Sequence, residues 1–316
     1  MDRDVWLGVN VGGIAMKNPV MAASGTFGYG MDYPGDVLDS LGAVVVKGTT
    51  LKPRRGNPPP RIWETPAGLL NSIGLQNPGV DVFLEEHLPC LASKGAVVIC
   101  NIVGDTEEDY GEIAARLDGA PGLAGIEVNV SCPNVRNGGL LFGQDPRALA
   151  KVMQRVRART RLPVLVKLPP GDNIALSARV AQEEGADGLS VINSVPAMAI
   201  DVREKRPALG AVMGGLTGPA IKPIALRMVW ICADAVSIPI VGMGGILGWE
   251  DAVEFMLAGA TAVAVGSALF RDPETPRKVV TGIRDYLQEE RMDSIEKVVG
   301  RAKGSPGPCA GRRRAG

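Results

Sequence analysis

PVLVKLPPGDNIALSARVAQEEGADGLSVINS (163–194) is the stretch on which the fold turns. It opens and closes on short, continuous apolar runs, PVLVKLPP (163–170) and GLSVINS (188–194), and residues 173–185 between them read as a helix. Runs apolar throughout suit strands buried on both faces, the mark of a parallel sheet. Outward from this unit the pattern repeats. NPVMAASG (18–25), AVVVKGT (43–49), VVICNIV (97–103) and GIEVNVSC (125–132) precede it, and IPIVGMGG (238–245) and TAVAVGSALF (261–270) follow. Helical stretches are expected at 79–94, 106–118, 145–160, 219–236, 248–259 and 272–288. Asp105 or Thr106, Asp145 with Pro146, and Asp272 with Pro273 are candidate helix starts.

Eight strands alternating with helices predict an α/β fold, a closed (β/α)₈ TIM barrel of parallel strands. An open doubly wound sheet would carry a glycine fingerprint after its first strand. The best candidate, Gly242-x-Gly244, follows the seventh strand and has Leu247 at its third position, so that reading fails. Two gaps between strands are long. Residues 50–78 and 195–218 are expected as irregular or hairpin excursions over the C-terminal mouth, where barrel active sites are built. Residues 1–303 are read as one barrel domain, and 304–316 as a frayed tail whose Arg312–Arg314 run is a solvated end.

The 316 residues allow two domains or one large barrel. A content of 46% hydrophobic and 22% charged residues is that of a globular chain. Thirty-four basic residues balance 34 acidic ones, which argues against a dedicated nucleic-acid binder. No run is apolar enough to span a membrane and MDRDVWLGVN does not read as a signal peptide, so the expected compartment is the cytoplasm. Five cysteines without CxxC spacing, and His87 as the only histidine, suggest neither a zinc site nor a disulfide framework. His87 is expected at the surface, and Cys90, Cys100 and Cys232 as small hydrophobes; Cys309 falls in the tail.

The chemistry lies in how the strands end. Lys47, Asn101, Asn129 to Cys132, Lys167, Asn193-Ser194, Gly244-Gly245 and Gly266-Ser267 finish strands that are otherwise apolar, and barrel closure brings such positions to one pocket. Polar groups there are costly unless they meet a ligand. The two glycine clusters would let a phosphate approach backbone N–H groups, or else only form tight turns. Lys47 and Lys167 need a bound anion or anionic ring, or else a barrel carboxylate such as Glu127. Cys132, past its strand and beside amides, is a candidate general base in a chain with no usable histidine. Asn71, Asn129, Asn134 and Asn193, with Ser194, could encircle a small heterocycle bearing imide and carboxylate groups.

NPVMAASGTFGYG, VVVKGTT, PRIWETPAGLLNSIGLQNPG, NVSCPNV, VLVKLPP, VINS, GLTGPAIKP, GMGGI and VGSALF together resemble the dihydroorotate dehydrogenase family, from about residue 5 to about residue 290. Within it they resemble the bacterial class 1B catalytic subunits. The resemblance implies an FMN enzyme that oxidises (S)-dihydroorotate to orotate in pyrimidine biosynthesis. Cys132 would take a proton from C5 while C6 delivers a hydride to flavin N5. A fixed lysine would stabilise the negative charge of reduced flavin near N1. FMN contacts would come from Ser24, Lys47, Gly48, Asn101, Asn129, Lys167, Ile192, Gly218, Gly244, Gly245, Gly266 and Ser267. Orotate would be held by Lys47, the run Asn71, Ser72, Ile73, Gly74 and Leu75, and by Asn129, Asn134, Asn193 and Ser194. Class 1B further implies a homodimer joined to a second subunit carrying FAD and a [2Fe–2S] cluster, an α₂β₂ heterotetramer that passes electrons to NAD. Cys132 in place of serine, with no N-terminal extension, argues against the quinone-linked members. A fumarate-linked class 1A homodimer, the flavin barrel of a dihydropyrimidine dehydrogenase, a tRNA dihydrouridine synthase and a non-catalytic phosphate-binding barrel are the alternatives. Zero net charge speaks against the synthase.

Overall fold

A computed structural model describes residues 5–31, 33–131, 142–143 and 145–304. Eight parallel strands form a closed barrel: Val20–Ala22 (β1), Ala43–Val45 (β2), Val98–Ile102 (β3), Leu123–Asn129 (β4), Val164–Leu168 (β5), Gly188–Val191 (β6), Ile240–Met243 (β7) and Ala262–Val265 (β8). Each pairs with the next, and β8 returns to β1 through Val263↔Val20 and Val265↔Ala22. Seven of the eight strands lie inside the apolar runs read from the sequence, and β4 begins two residues ahead of its run, at Leu123. The strands are almost wholly buried because one face packs into the barrel and the other under the helices.

The helices are Gly35–Ser40 (α1), a composite α2 running through Val80–Val82, a π turn at Phe83–His87 and Leu88–Ser93, then Glu107–Leu117 (α3), Pro146–Arg157 (α4), Ile174–Glu183 (α5), Lys222–Ala235 (α6), Trp249–Leu257 (α7) and Thr275–Glu289 (α8). Thr106 and Asp109 form a reciprocal capping box on α3, and Asp145 caps α4 by accepting from the Arg147 N–H at 2.9 Å. Asp272 behaves otherwise than expected. Its carboxylate accepts from Glu274 N within a turn, and α8 starts later, at Thr275, with Pro276 in its first turn.

A short antiparallel hairpin, Val9–Val11 with Ile14–Met16, carried too little pattern to be read in advance. It caps the end of the barrel where the strands begin. Ile14 lies where a Cβ on Gly125 would stand, and Val11 faces Gly188. Gly12, at φ +60, would drive a Cβ into the Asp187 carbonyl, so the turn is closed to larger residues. The opposite end receives both excursions. They join in one antiparallel sheet, Val195–Ala197, Gly214–Thr217, Gly68–Asn71 and Ile62–Thr65 in that order. The hairpin expectation therefore holds, and the two hairpins support each other. Residues 292–304 fold back on the body, where Ile295 N donates to Trp6 O and Ile295 and Val298 are buried. The tail beyond 304, with Cys309 and Arg312–Arg314, lies outside the described residues.

Gly282 of α8 sits against the Trp249 ring of α7, and an added Cβ would lie 2.2 Å from it. Gly282→Ala is expected to cost roughly 1–3 kcal/mol through overpacking. Urea unfolding should show a lower midpoint at unchanged slope; an unmoved midpoint means the indole swings aside freely.

Candidate functional site

Five polar side chains interrupt the barrel interior on adjacent strands: Asn101 (β3), Glu127 and Asn129 (β4), Lys167 (β5) and Ser190 (β6), none more than 8% exposed. Glu127 joins them. One carboxylate oxygen accepts from Asn101 Nδ2 at 2.6 Å and the other from Ser190 Oγ at 2.6 Å. Lys167 Nζ lies 3.7 Å from the first oxygen and donates to Ser24 Oγ at 3.0 Å. Buried charges persist only when paired and hydrogen-bonded, and this acid meets both conditions.

The two strand lysines differ. Lys167 has the Glu127 partner that the sequence reading held open, so its burial needs no external anion. Lys47, just past β2, forms no hydrogen bond or ion pair through Nζ among the described residues, and Nζ faces the open side of Gly25. Burial, and then repulsion from Lys167, hold its pKa below that of an ordinary lysine.

The amides line up beside this cation. Asn129 Nδ2 donates to Asn101 Oδ1 at 3.4 Å, and Asn129 Oδ1 accepts from Asn193 Nδ2 at 3.4 Å and from Ser131 N at 3.2 Å. Asn193 Oδ1 accepts from Ser194 N at 2.8 Å. The excursion sheet closes over this row. A Cβ on Gly215 would lie 2.0 Å from Ser194 Oγ, and Asn71 Nδ2 donates to the Gly215 carbonyl at 3.1 Å. Asn71, Asn129, Asn193 and Ser194 thus gather around one mouth with Ser24, Lys47, Asn101 and Lys167.

The run after Asn71 is held from behind. Asn57 N donates to Ile73 O, Asn57 Nδ2 to Ser72 O, and Ser72 N to Arg61 O. The Ser72 hydroxyl is buried without a hydrogen-bond partner among the described residues. Gly74 is at φ +72 with Asn57 where its Cβ would stand. Leu75 holds φ +56, a strained conformation for its side-chain type.

The glycines divide as the lysines do. Gly244 and Gly245 have φ values of +122 and +85, and a Cβ on Gly245 would meet Lys222 and the Gly218 carbonyl, so turn geometry and packing already require them. Gly218 similarly abuts Gly68, and Gly48 leaves space for Asn101 Oδ1. Gly266 is different: the nearest atom to its absent Cβ is 3.8 Å away, and the turn Ser267–Phe270 begins beside it. The Ile192 N–H is used internally, donating to Met243 O at 3.3 Å. Cys132 and Asn134 lie outside the described residues.

Of the described cysteines, Cys100 and Cys232 are buried, and Cys90, on α2, is only half-buried. Burial pushes the thiols of Cys100 and Cys232 up to about 12, which suits the hydrophobe reading. His87 corrects an expectation: it is half-buried and stacked on Tyr29 at 4.0 Å, where the π turn carries its ring inward. Ser190 and Tyr110, whose hydroxyl donates to Asn129 O at 2.8 Å, went unread. Ser190 had a signal, a lone hydroxyl inside an apolar strand; Tyr110 had none. Among the described residues the mouth therefore offers a cation without a counter-ion and amide N–H groups, a set suited to a planar anion rich in acceptors. Among the described residues no cluster of His, Cys, Asp and Glu could hold a metal, and no helix is long and apolar enough to cross a membrane.

Comparison with known proteins agrees with this geometry. The chain resembles a catalytic subunit of dihydroorotate dehydrogenase B (NAD(+)) from Desulforamulus reducens, 55% identical over 298 residues, 94% of this chain and 98% of the relative. A protein of the same name from Citrifermentans bemidjiense is 52% identical over 93% of this chain and 97% of its own. Among solved structures, a crystal structure of DHODH from Eimeria tenella in complex with ferulenol superposes with a TM-score of 0.80, covering 96% of this chain and 90% of the other. At 23% identity that likeness speaks for the fold alone. The family profile described as dihydroorotate dehydrogenase matches residues 6–287, and the chain belongs to that family.

Proposed function

We propose that this chain is the FMN-dependent catalytic subunit of a class 1B dihydroorotate dehydrogenase, oxidising (S)-dihydroorotate to orotate in pyrimidine biosynthesis. The observation that carries the reading is Lys47, a half-buried amine without an acid partner among the described residues, set beside a row of amide donors. An orotate carboxylate supplies the missing counter-ion, and a uracil-type ring would not. The whole barrel, residues 1–303, serves as one domain.

FMN fits the residues present. Lys167 and Ser24 form a polar floor, Gly266 leaves open space beside the turn at Ser267, and Gly48, Asn101, Asn129, Ile192, Gly218, Gly244 and Gly245 complete the proposed cradle. Bound FMN supplies the acceptor, its N5, for the hydride leaving C6 of the substrate. The chain's own residues do the rest. Lys47, Asn71 to Leu75, Asn129, Asn134, Asn193 and Ser194 orient the substrate by its carboxylate and imide groups. Cys132, as thiolate, takes the proton from C5, and the electron pair of that C–H bond becomes the second C5–C6 bond of orotate. The excursion sheet keeps water from the reacting edge. A homodimer of this chain docks a second subunit bearing FAD and [2Fe–2S], through which electrons reach NAD.

An anaerobic visible spectrum tests the reading first. The flavin band of the purified chain should bleach on adding dihydroorotate, while NAD is reduced only slowly without the second subunit. Bleaching by a dihydropyrimidine lacking the carboxylate, and none by dihydroorotate, would reverse the substrate assignment.

Cys132→Ala should retain its flavin and lose roughly 10²–10⁴ in the rate of flavin reduction by dihydroorotate, the usual worth of a general base. Stopped-flow reduction at unchanged rate across pH would remove Cys132 from that role.

Lys47 makes orotate binding depend on pH. Its pKa is lowered by burial and by Lys167, so the free site gives up its proton earlier than an ordinary lysine. A bound anion favours the charged form. Orotate affinity should therefore fall as pH rises through the free-site pKa, approaching about ten-fold per pH unit. Titration by flavin difference spectra should show this slope, and Lys47→Met should both weaken binding and flatten it. A slope unchanged in Lys47→Met rules out Lys47 as the anion's partner.

A further inference from the structure

Glu127 lies behind the mouth, fully buried, and is read above only as the counter-ion of Lys167. We infer that it is a positioning residue: its carboxylate fixes the Asn101 end of the amide row Asn101–Asn129–Asn193, as the backbone N–H groups of Ser131 and Ser194 fix the other, and so helps make the pocket a donor of hydrogen bonds to an acceptor-rich anion. The inference rests on the proposed binding of orotate and adds to it a group that helps fix the site's polarity.

An asparagine side chain is nearly symmetric in shape, with a donor on one arm and an acceptor on the other, so a row of them can run in either sense. Groups of fixed polarity break the tie from both ends: the Glu127 carboxylate, which can only accept, and the backbone N–H groups of Ser131 and Ser194, which can only donate. Glu127 Oε1 therefore requires Asn101 to present Nδ2, at 2.6 Å. Asn101 Oδ1 is then turned to Asn129 and must receive its Nδ2. Asn129 Oδ1, facing the other way, receives both Asn193 Nδ2 and Ser131 N, which uses its two lone pairs. What Asn129 has left for a ligand is its second N–H. Asn193 likewise keeps one N–H, because only one of its two is spent on Asn129.

Glu127 is itself locked. Ser190 Oγ donates to Oε2 at 2.6 Å, and Lys167 sits on the Oε1 side. Were the row reversed, Asn129 would turn its carbonyl outward toward the oxygens of the anion, and acceptor would face acceptor. The positions of Lys47 and of the amides would be unchanged, but their complementarity to an imide and a carboxylate would be lost.

Glu127→Gln separates this role from simple charge. Glutamine has the same shape, and its own amide can face Asn101 with either arm, so the row loses its anchor at the Asn101 end and is held only by Ser131 N and Ser194 N. Removing a negative charge near an anion site should, by itself, tighten orotate binding. Loss of the anchor should weaken it. The readout is the orotate dissociation constant from flavin difference spectra, in protein whose FMN content is measured separately. Weakening of about ten-fold or more, the worth of one charge-assisted hydrogen bond, is expected. Unchanged or tighter binding at normal FMN content overturns the inference while leaving the substrate assignment standing. If wild-type protein binds no orotate, that assignment falls, and this inference falls with it. Should Glu127→Gln fail to fold, Ser190→Ala carries the test, because it frees one arm of the carboxylate and keeps the charge. Weaker orotate binding with flavin intact then supports the role, and unchanged binding overturns it.

Discussion

A parallel strand flanked by helices leaves its backbone donors and acceptors unpaired along both edges, and closing the sheet on itself satisfies all of them at once. Here β8 returns to β1 and no barrel edge remains. Everything else follows from that closure. It brings eight C-terminal strand ends onto one ring, so residues far apart in the chain become neighbours, as Ser24 and Lys167 do. It also creates two ends with different fates. The hairpin Val9–Val11 with Ile14–Met16 fills one with apolar side chains, and polar groups gather at the other.

The interior then faces an electrostatic problem. An acid and a base placed in the barrel would each be expensive alone, and Glu127 with Lys167 offset one another only because Asn101, Ser190 and Ser24 take up the remaining valences. That arrangement leaves Lys47 as the excess charge. Among the described residues the mouth thus sets one carboxylate against two lysines. An anion completes the neutralisation that the protein leaves unfinished, which is a physical reason for a ligand that does not depend on any likeness between families.

The barrel strands were legible because burial on both faces leaves runs of Val, Ile, Leu and Ala with no polar alternation, as in VVIC and VLV. The hairpin at residues 9–16 was not, since two three-residue strands with one exposed position each have no detectable period. The excursion sheet was half legible. Turn residues mark both hairpins, but their union depends on contacts such as Asn71 with Gly215, across 144 residues, which no local pattern records. Strand-end polarity named Lys47, Asn129, Asn193 and Ser194, which the structure gathers at one mouth. It could not say which lysine had a partner, because Glu127 approaches Lys167 and not Lys47 only through strand register, Asn129 standing opposite Lys167 on the neighbouring strand.

Glycine and asparagine mark the limit of such reading in opposite ways. GMGG resembles a phosphate cradle from composition, yet positive φ and the nearness of Lys222 and Gly218 account for Gly244 and Gly245 without a ligand. Beside Gly244 and Gly245 it is Gly266 whose side is open, and composition does not separate the three. With asparagine the residue type is informative and its orientation is not. The row Asn101, Asn129, Asn193 is compatible with a pocket of donors or a pocket of acceptors until a group of fixed polarity is found at one end. Glu127 is that group at one end, two residues before Asn129 on the same strand and therefore turned to the same face, and the Ser131 and Ser194 N–H groups hold the other end. A binding site's selectivity can in this way reside in a side chain that never touches the ligand, because in a closed barrel the layer beneath the mouth determines how the layer above it is hydrogen-bonded.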